Sequence, residues 1–334
     1  MKKIILLALL SVLLYACKNS GEIGKISQLE GQALGTTFHI TYIDSEHRNF
    51  ESQIDSLFHT LNRSLSTYIP NSDISKINNG DSTILVDKMF TEVFQKSKRI
   101  FVETNGYFDP TIGVLVNAWG FGPGVRIEDL DSVKIIELLK FVGFDKVNIK
   151  NNRVDKKYKN IYLDFNAIAK GYAVDIIGRF FEENKINNYL VEIGGEVRTR
   201  GLNQKNKPWK IAIEKPNFDG TRSFQTFVNL ENESIATAGN YRKFKIDKKT
   251  GKRYAHTLDT KSGFPSKSNL LSASVIANLD CADVDGYATA LMALGFEKSK
   301  LFLKEHHELK AFLIYIDKDG EINTFEANKI ELVK

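Results

Sequence analysis

The chain is short of the residues that most readily betray a function. It has two cysteines in 334 residues, Cys17 and Cys281. If Cys17 is modified, Cys281 has no partner, so no intramolecular disulfide staples the fold and a multi-cysteine zinc site is excluded. Six histidines show no metal-type spacing. No GxGxxG follows a strand and no P-loop occurs, so any nucleotide must be held in another way. There is no concentrated basic run. The net charge is +5, and +3 once Lys2 and Lys3 are discounted. Basic residues are scattered among acidic ones, which argues against a nucleic-acid partner. No internal repeat is evident, and beyond the first residues no apolar stretch is long enough to cross a membrane.

What is present begins with Lys2 and Lys3, the apolar run Ile4 to Leu14, and the small Ala16 before Cys17. This pattern predicts a secretory signal over 1–16. Leu14-Tyr15-Ala16-Cys17 resembles a bacterial lipobox, which implies that Cys17 becomes an acylated first residue tethering the chain to a membrane in the cell envelope, on the periplasmic side. A plain secreted protein with an incidental cysteine is the alternative. Lys18 to Gly24 is small and polar like a linker. We expect a lipidated N-terminus and linker over 17–30 and one large domain, or two intimately packed ones, over 31–334.

Within that domain Gln32 to Tyr42 alternates as a strand. Phe50 to Leu65 and Asp87 to about Glu103 read as amphipathic helices. Ser66 to Asp73 reads as a loop. The portion from Asn188 to Thr237 is mainly β. A short strand carrying His256 precedes a turn at Asp259 to Gly263. Leu271 to Ala277 is a strand, Ala282 to Leu294 and Phe296 to Glu305 are helices, and Phe312 to Phe325 closes in a hairpin. Strands and helices come in groups rather than in strict alternation, so the fold class is α+β.

The central stretch, Leu163 to Asp175, reads as a strand end turning into a helix capped by Asn166. Lys170 places a cation where the helix dipole is already positive, and Gly171 weakens the helix by about 1 kcal/mol relative to alanine. Both fit an anion at the helix start, held by free amides and Lys170, with Gly171 admitting the ligand closely. A surface lysine and a packing glycine would look the same. Asp285 and Thr289 lie four apart on one helix, an oxygen-only set suited to a hard cation such as Mg2+. A capping or solvated carboxylate is the simpler account of Asp285. Tyr107 and Phe108 beside Asp109 would suit a pocket or a core equally. Cys281 reads as a small buried residue, and an isolated histidine such as His256 is usually structural.

Taken in order, LGTTFHITY, LSTYIPNSDISKIN, GYFDPTIGVLVNAWGFG, LDFNAIAKGYAVD, YLVEIGGEVRTRG, SIATAGNYRKF, YAHTLDTKSGFP and CADVDGYATALMALG resemble the ApbE family of flavin transferases, from about Gln32 to the C-terminus. The resemblance implies a T-fold-related arrangement of mixed sheets and packed helices. It also implies Mg2+-dependent transfer of FMN from FAD to a threonine or serine of a target protein, with release of AMP. It places Leu34, Tyr68, Tyr107, Phe108, Asp109, Asp164, Lys170 and Thr257 at FAD. Leu34 stands in place of a usual methionine, and Tyr107 in place of a usual small residue. The same resemblance places the Ala167 carbonyl, Asp285 and Thr289, with Ala288 beside them, at Mg2+. Asn240 stands where aspartate is frequent.

His256 is the candidate base for the acceptor hydroxyl, because an imidazole titrates near neutrality. Asp109 or Asp285 could share that task. The implied acceptor is a subunit of a membrane-bound, ion-pumping electron-transfer complex or another exported flavoprotein. Two further readings stay open: hydrolysis of FAD to FMN and AMP, and a non-catalytic flavin-binding lipoprotein.

Overall fold

The computed structural model describes residues 24–241, 244–246 and 253–333. The expected signal peptide and Cys17 lie outside the described residues. The first half contains β1 (Lys25–Ala33), β2 (Thr36–Asp44), α1 (Glu51–Leu65), α2 (Asp73–Asn78), α3 (Lys88–Glu103), α4 (Gly113–Trp119), α5 (Ser132–Leu139), β3 (Val147–Lys150) and β4 (Arg153–Lys156). Then come α6 (Ala169–Glu183), β5 (Tyr189–Ile193), β6 (Glu196–Arg200), β7 (Trp209–Glu214), β8 (Phe224–Leu230), β9 (Ser234–Gly239), β10 (Phe244–Ile246) and β11 (Arg253–Ala255). The chain closes with β12 (Leu270–Ala277), α7 (Cys281–Leu294), α8 (Phe296–Glu305), β13 (Lys310–Ile316), β14 (Ile322–Ala327) and β15 (Leu332–Val333).

An eight-stranded antiparallel sheet in the order β1-β2-β5-β6-β9-β12-β13-β14 forms the middle layer. Helices cover one face, and a three-stranded sheet, β15-β8-β7, covers part of the other. β12 is therefore buried along its whole length. Its Ala273, Val275 and Ala277 join the helical core, while Leu271 and Ile276 meet Val228 and Leu230 under the small sheet. This is the α+β arrangement that the grouping of elements predicted. α1 supplies Ile54, Phe58, Leu61 and Leu65 at helical spacing to the core, and α3 supplies Phe90, Val93, Phe94 and Ile100. α6 and α7 are instead buried nearly all round, because each packs on the sheet, on the other and on a further helix.

The two buried helices are locked by charge. The amides of Cys281 and Ala282, at the start of α7, each donate at 2.8 Å to the two oxygens of Asp175 on α6. Asp175 is fully buried. Burial and the nearby Asp280 push it up to about 7, against the pull of Arg198 and the two amides. Arg198 lies 2.7 Å from both Asp175 and Asp280, and Asp280 also meets Lys96 at 2.8 Å and Arg179 at 2.7 Å. A carboxylate from one helix thus satisfies the orphan amides of the next.

Five expectations are revised. The domain starts before residue 31, since β1 pairs with β2 from Lys25 onward. As an edge strand it keeps many polar side chains, which made it look like a linker. The strand expected over Gln32 to Tyr42 is instead a hairpin turned at Leu34 and Gly35, with φ of +52° and +74°. Before α6 there is only an isolated parallel bridge, Ile112 with Tyr162. Asn166 is not the cap: Ile168 stands at the helix start, and the Asn166 amide side chain donates to Thr67 Oγ1 at 3.1 Å. β11 ends at Ala255, so His256 stands just past the strand in a bend. The helix α5 and the β3–β4 hairpin were not anticipated.

Lys96, Arg179 and Arg198 lower the Asp280 pKa against the desolvation that opposes them. An acid lowered on folding binds fewer protons folded than unfolded. Its stabilisation is therefore complete above the ordinary carboxylate value near 3.9 and disappears as the pH falls below it. Asp280 is a quarter exposed, so Asp280→Asn should destabilise by about 1–3 kcal/mol at pH 7, less than a fully buried pair would. Urea unfolding should show that difference closing between about pH 4 and pH 2.

Candidate active site

The start of α6 meets the first turns of α7 at a point where only glycine fits. A Cβ on Gly171 would lie 2.4 Å from the Cys281 carbonyl oxygen and 2.7 Å from the Ala282 nitrogen. Gly171 therefore serves the close approach of two helices, where the sequence had suggested the close approach of a ligand. Its amide donates to Asp285 Oδ2 at 3.1 Å. This one bond brings the Lys170-Gly171 turn and the α7 carboxylate together. Thr289 lies four residues beyond Asp285 on the same helix, Ala288 is fully buried beside it, and Ala167 stands two residues before α6 begins.

Glu196 completes the cluster, and the sequence reading had given it no role. Its Oε2 is 2.6 Å from Lys170 Nζ, and the residue is only 2% exposed. It opens β6 after Gly194 and Gly195, whose φ of +63° and +104° make the turn that aims it inward. That glycine pair followed by an acid was the available signal. Burial works against the Lys170 ammonium, but Glu196 and Asp285 outweigh it and hold its pKa above the ordinary value. Burial pushes both carboxylates up, with Lys170 opposing in each case. With both ionised, two acids and one ammonium leave an excess of one negative charge in a buried place. A cation would relieve it.

The donor set suits a hard cation. Asp285 is 5% exposed, and a hydroxyl and a backbone carbonyl can complete an oxygen-only shell. Among the described residues no three His, Cys, Asp or Glu side chains gather as a metal centre, so one carboxylate and neutral oxygens would have to carry the ion. Cys281 is fully buried, its thiol is pushed up by burial, and Sγ lies 3.5 Å from the Val197 carbonyl. It is the inert small residue the sequence suggested.

Further predicted residues flank this centre. Asp164 lies at the loop before α6, where its amide donates to the Pro110 carbonyl at 2.8 Å and its Oδ1 accepts from the Asn166 amide at 2.8 Å. Burial pushes Asp164 up to about 6. Tyr68 is 63% exposed, and both burial of its hydroxyl end and the Asp164 charge raise its pKa, so the two residues are neighbours. Asn166 ties the Tyr68 loop to the α6 loop through Thr67. Leu34 sits in the β1–β2 turn, two residues before Thr36, against which Gly194 packs. The sheet thereby carries Leu34 toward the turn that bears Glu196.

Asp109 holds its own loop. Its Oδ1 accepts from the Thr111 amide at 2.8 Å and from the Thr111 hydroxyl at 2.6 Å, and burial pushes it up to about 6. Phe108 is in the core, its ring 3.5 Å from where a Cβ on Gly286 would stand. Tyr107 points elsewhere, with Lys298 bonded to its hydroxyl and the Lys261 and Lys298 ammonium groups 5.5 Å and 4.7 Å from its ring centre.

The loop after β11 docks here too: Thr260 donates to the Gly106 carbonyl at 2.6 Å and Trp119 to the Gly263 carbonyl at 2.9 Å. It carries His256, whose ring is 6.5 Å from that of Phe121, and Thr257, whose hydroxyl donates to Asn240 Oδ1 at 2.8 Å. Asn240, left uninterpreted in the sequence, orients Thr257.

Comparison with known proteins shows what the chain as a whole is similar to. The sequence pattern of the ApbE family matches residues 34–313. The FAD:protein FMN transferase of Haemophilus influenzae is 34% identical over 309 residues, covering 89% of this chain and 88% of that protein. The enzyme of that name from Vibrio cholerae is 34% identical over 323 residues, covering 94% of each. Among solved structures, flavin transferase ApbE from Vibrio cholerae superposes with a TM-score of 0.80 at 32% identity, over 91% of this chain and 97% of that one. The apo flavinyl transferase ApbE of Pseudomonas stutzeri gives 0.79 at 28% identity, over 91% and 96%.

Proposed function

The chain belongs to the ApbE family, and from that premise we propose that it is an FAD:protein FMN transferase, moving FMN from FAD to a threonine or serine hydroxyl of a target protein. The observation that carries the reading is the bond from the Gly171 amide to Asp285, with Lys170 and Glu196 beside it. It sets a cation-seeking carboxylate and an ammonium side by side, which is what a pyrophosphate bound through a metal requires.

In this reading the Asp285 carboxylate, the Thr289 hydroxyl and the Ala167 carbonyl hold Mg2+, which when bound neutralises charge on the pyrophosphate and on the departing AMP. Lys170 takes a phosphate oxygen, and Glu196 keeps the ammonium charged and in place. Tyr68 lies by the isoalloxazine, with Leu34, Asp164 and Thr257 around the cofactor. The acceptor oxygen bonds to the phosphorus on the FMN side as the bond to the AMP oxygen breaks. AMP leaves with the bonding electrons, and the hydroxyl proton passes to an imidazole nitrogen of His256.

Incubating the protein with FAD, Mg2+ and a peptide bearing an acceptor threonine should give a peptide heavier by one FMN and an equal amount of AMP. His256→Ala should still bind FAD but transfer at least about a hundredfold more slowly. AMP with free FMN and unmodified peptide would instead indicate a hydrolase. Bound FAD without AMP would indicate a carrier.

The reading also places the protein at a membrane, tethered through acylated Cys17 on the periplasmic side of the cell envelope. The acceptor there would be an exported flavoprotein or a subunit of an ion-pumping electron-transfer complex. The lipobox-like Leu14 to Cys17 supports this. Cys17→Ala should release the protein from the membrane fraction, and unchanged partitioning would refute the anchor.

A further inference from the structure

Transfer to a protein requires a place for the protein, and the centre around Asp285 lies among buried side chains. A cavity of about 760 Å³ opens on the other side of the Tyr107-Phe108 segment. Tyr107, Phe264, Lys267, Ser268, Phe296 and Lys298 are among the residues lining it. Its two walls are the loop that follows Thr257 and the junction of α7 with α8, where Gly295 turns the chain with φ of +78°. Phe296 is rigid, its ring stacked on Tyr315 at 3.7 Å. Phe264 and Lys267 are exposed at the edge. Aromatic anchors inside a polar rim are the composition of a polypeptide-binding surface.

The position of the cavity favours one occupant. Phe108 packs toward Gly286, next to Asp285, while the adjoining Tyr107 lines the cavity. The Tyr107-Phe108 segment therefore turns one side chain to the cavity and the next into the core beside α7. The loop forming the cavity wall is the one that carries His256 and Thr257, and it is pinned to the Tyr107 turn by Thr260 and by Lys261, which donates to the Asn105 carbonyl at 2.5 Å. We propose that this cavity receives an extended segment of the acceptor protein flanking the hydroxyl that is modified. The inference rests on the transferase reading and adds to it the surface that chooses the acceptor.

The test uses two substitutions at exposed lining positions outside the flavin centre. Lys267→Glu reverses a rim charge, and Ser262→Trp narrows the mouth. With the threonine peptide of the transfer assay, each should raise the peptide KM about tenfold. FAD affinity, and any slow release of AMP from FAD without peptide, should stay at the wild-type level. Unchanged peptide KM in both variants would overturn the inference while leaving the transferase reading intact. So would a parallel loss of FAD affinity, which would make the cavity part of the flavin site. If the wild-type protein transferred nothing to any hydroxyl, reading and groove would fall together.

Discussion

Two buried helices begin against each other with no room for a side chain between them, and much of the candidate site depends on that contact. Asp175 accepts the first amides of α7, and the Gly171 amide reaches Asp285 one turn further along. The contact is costly to assemble. It removes Asp175, Asp285 and Glu196 from water and offsets them with Arg198 and Lys170. Arrangements of this kind add little net stability compared with apolar packing, but they break sharply when one partner is lost. Charge at the α6–α7 junction is therefore better understood as setting position than as holding the fold together.

Position is also what the sheet contributes. The order β1-β2-β5-β6 sets the Leu34 turn beside the Gly194-Gly195 turn, and that turn delivers Glu196 to Lys170. The loop after β11, which carries His256 and Thr257, is tied to the 105–107 turn through Thr260 and Lys261 and to Asn240 through Thr257. Residues far apart in sequence thus converge on the start of one helix, where the backbone dipole and an excess carboxylate favour a cation and a phosphate held together.

Much of this was legible from the residues. The apolar spacing of α1 and α3, and the alternation of β5, pointed to the class of fold, because those elements bury one face or alternate regularly. Lys170 and Gly171 marked the start of α6, although Gly171 accommodates a neighbouring backbone. What stayed hidden depends on tertiary partners. β1 is an edge strand with too few apolar residues to stand out from a linker. Asn166 has the chemistry of a cap, but its side chain is drawn to Thr67. Asp175 carries no local signal of its role, and Glu196 only the glycine pair before it, since each is defined by a cation or an amide distant in sequence. The Leu34-Gly35 turn was masked by a non-glycine residue at positive φ.

The account turns on coupling between a divalent cation and FAD at the α6–α7 junction, and calorimetric titration of FAD in the presence and absence of Mg2+ measures it directly. Wild-type protein should bind FAD roughly tenfold or more tightly with Mg2+. Asp285→Ala should keep its metal-free affinity but lose that gain. An equal Mg2+ effect in wild type and Asp285→Ala would place the cation elsewhere and contradict the site described.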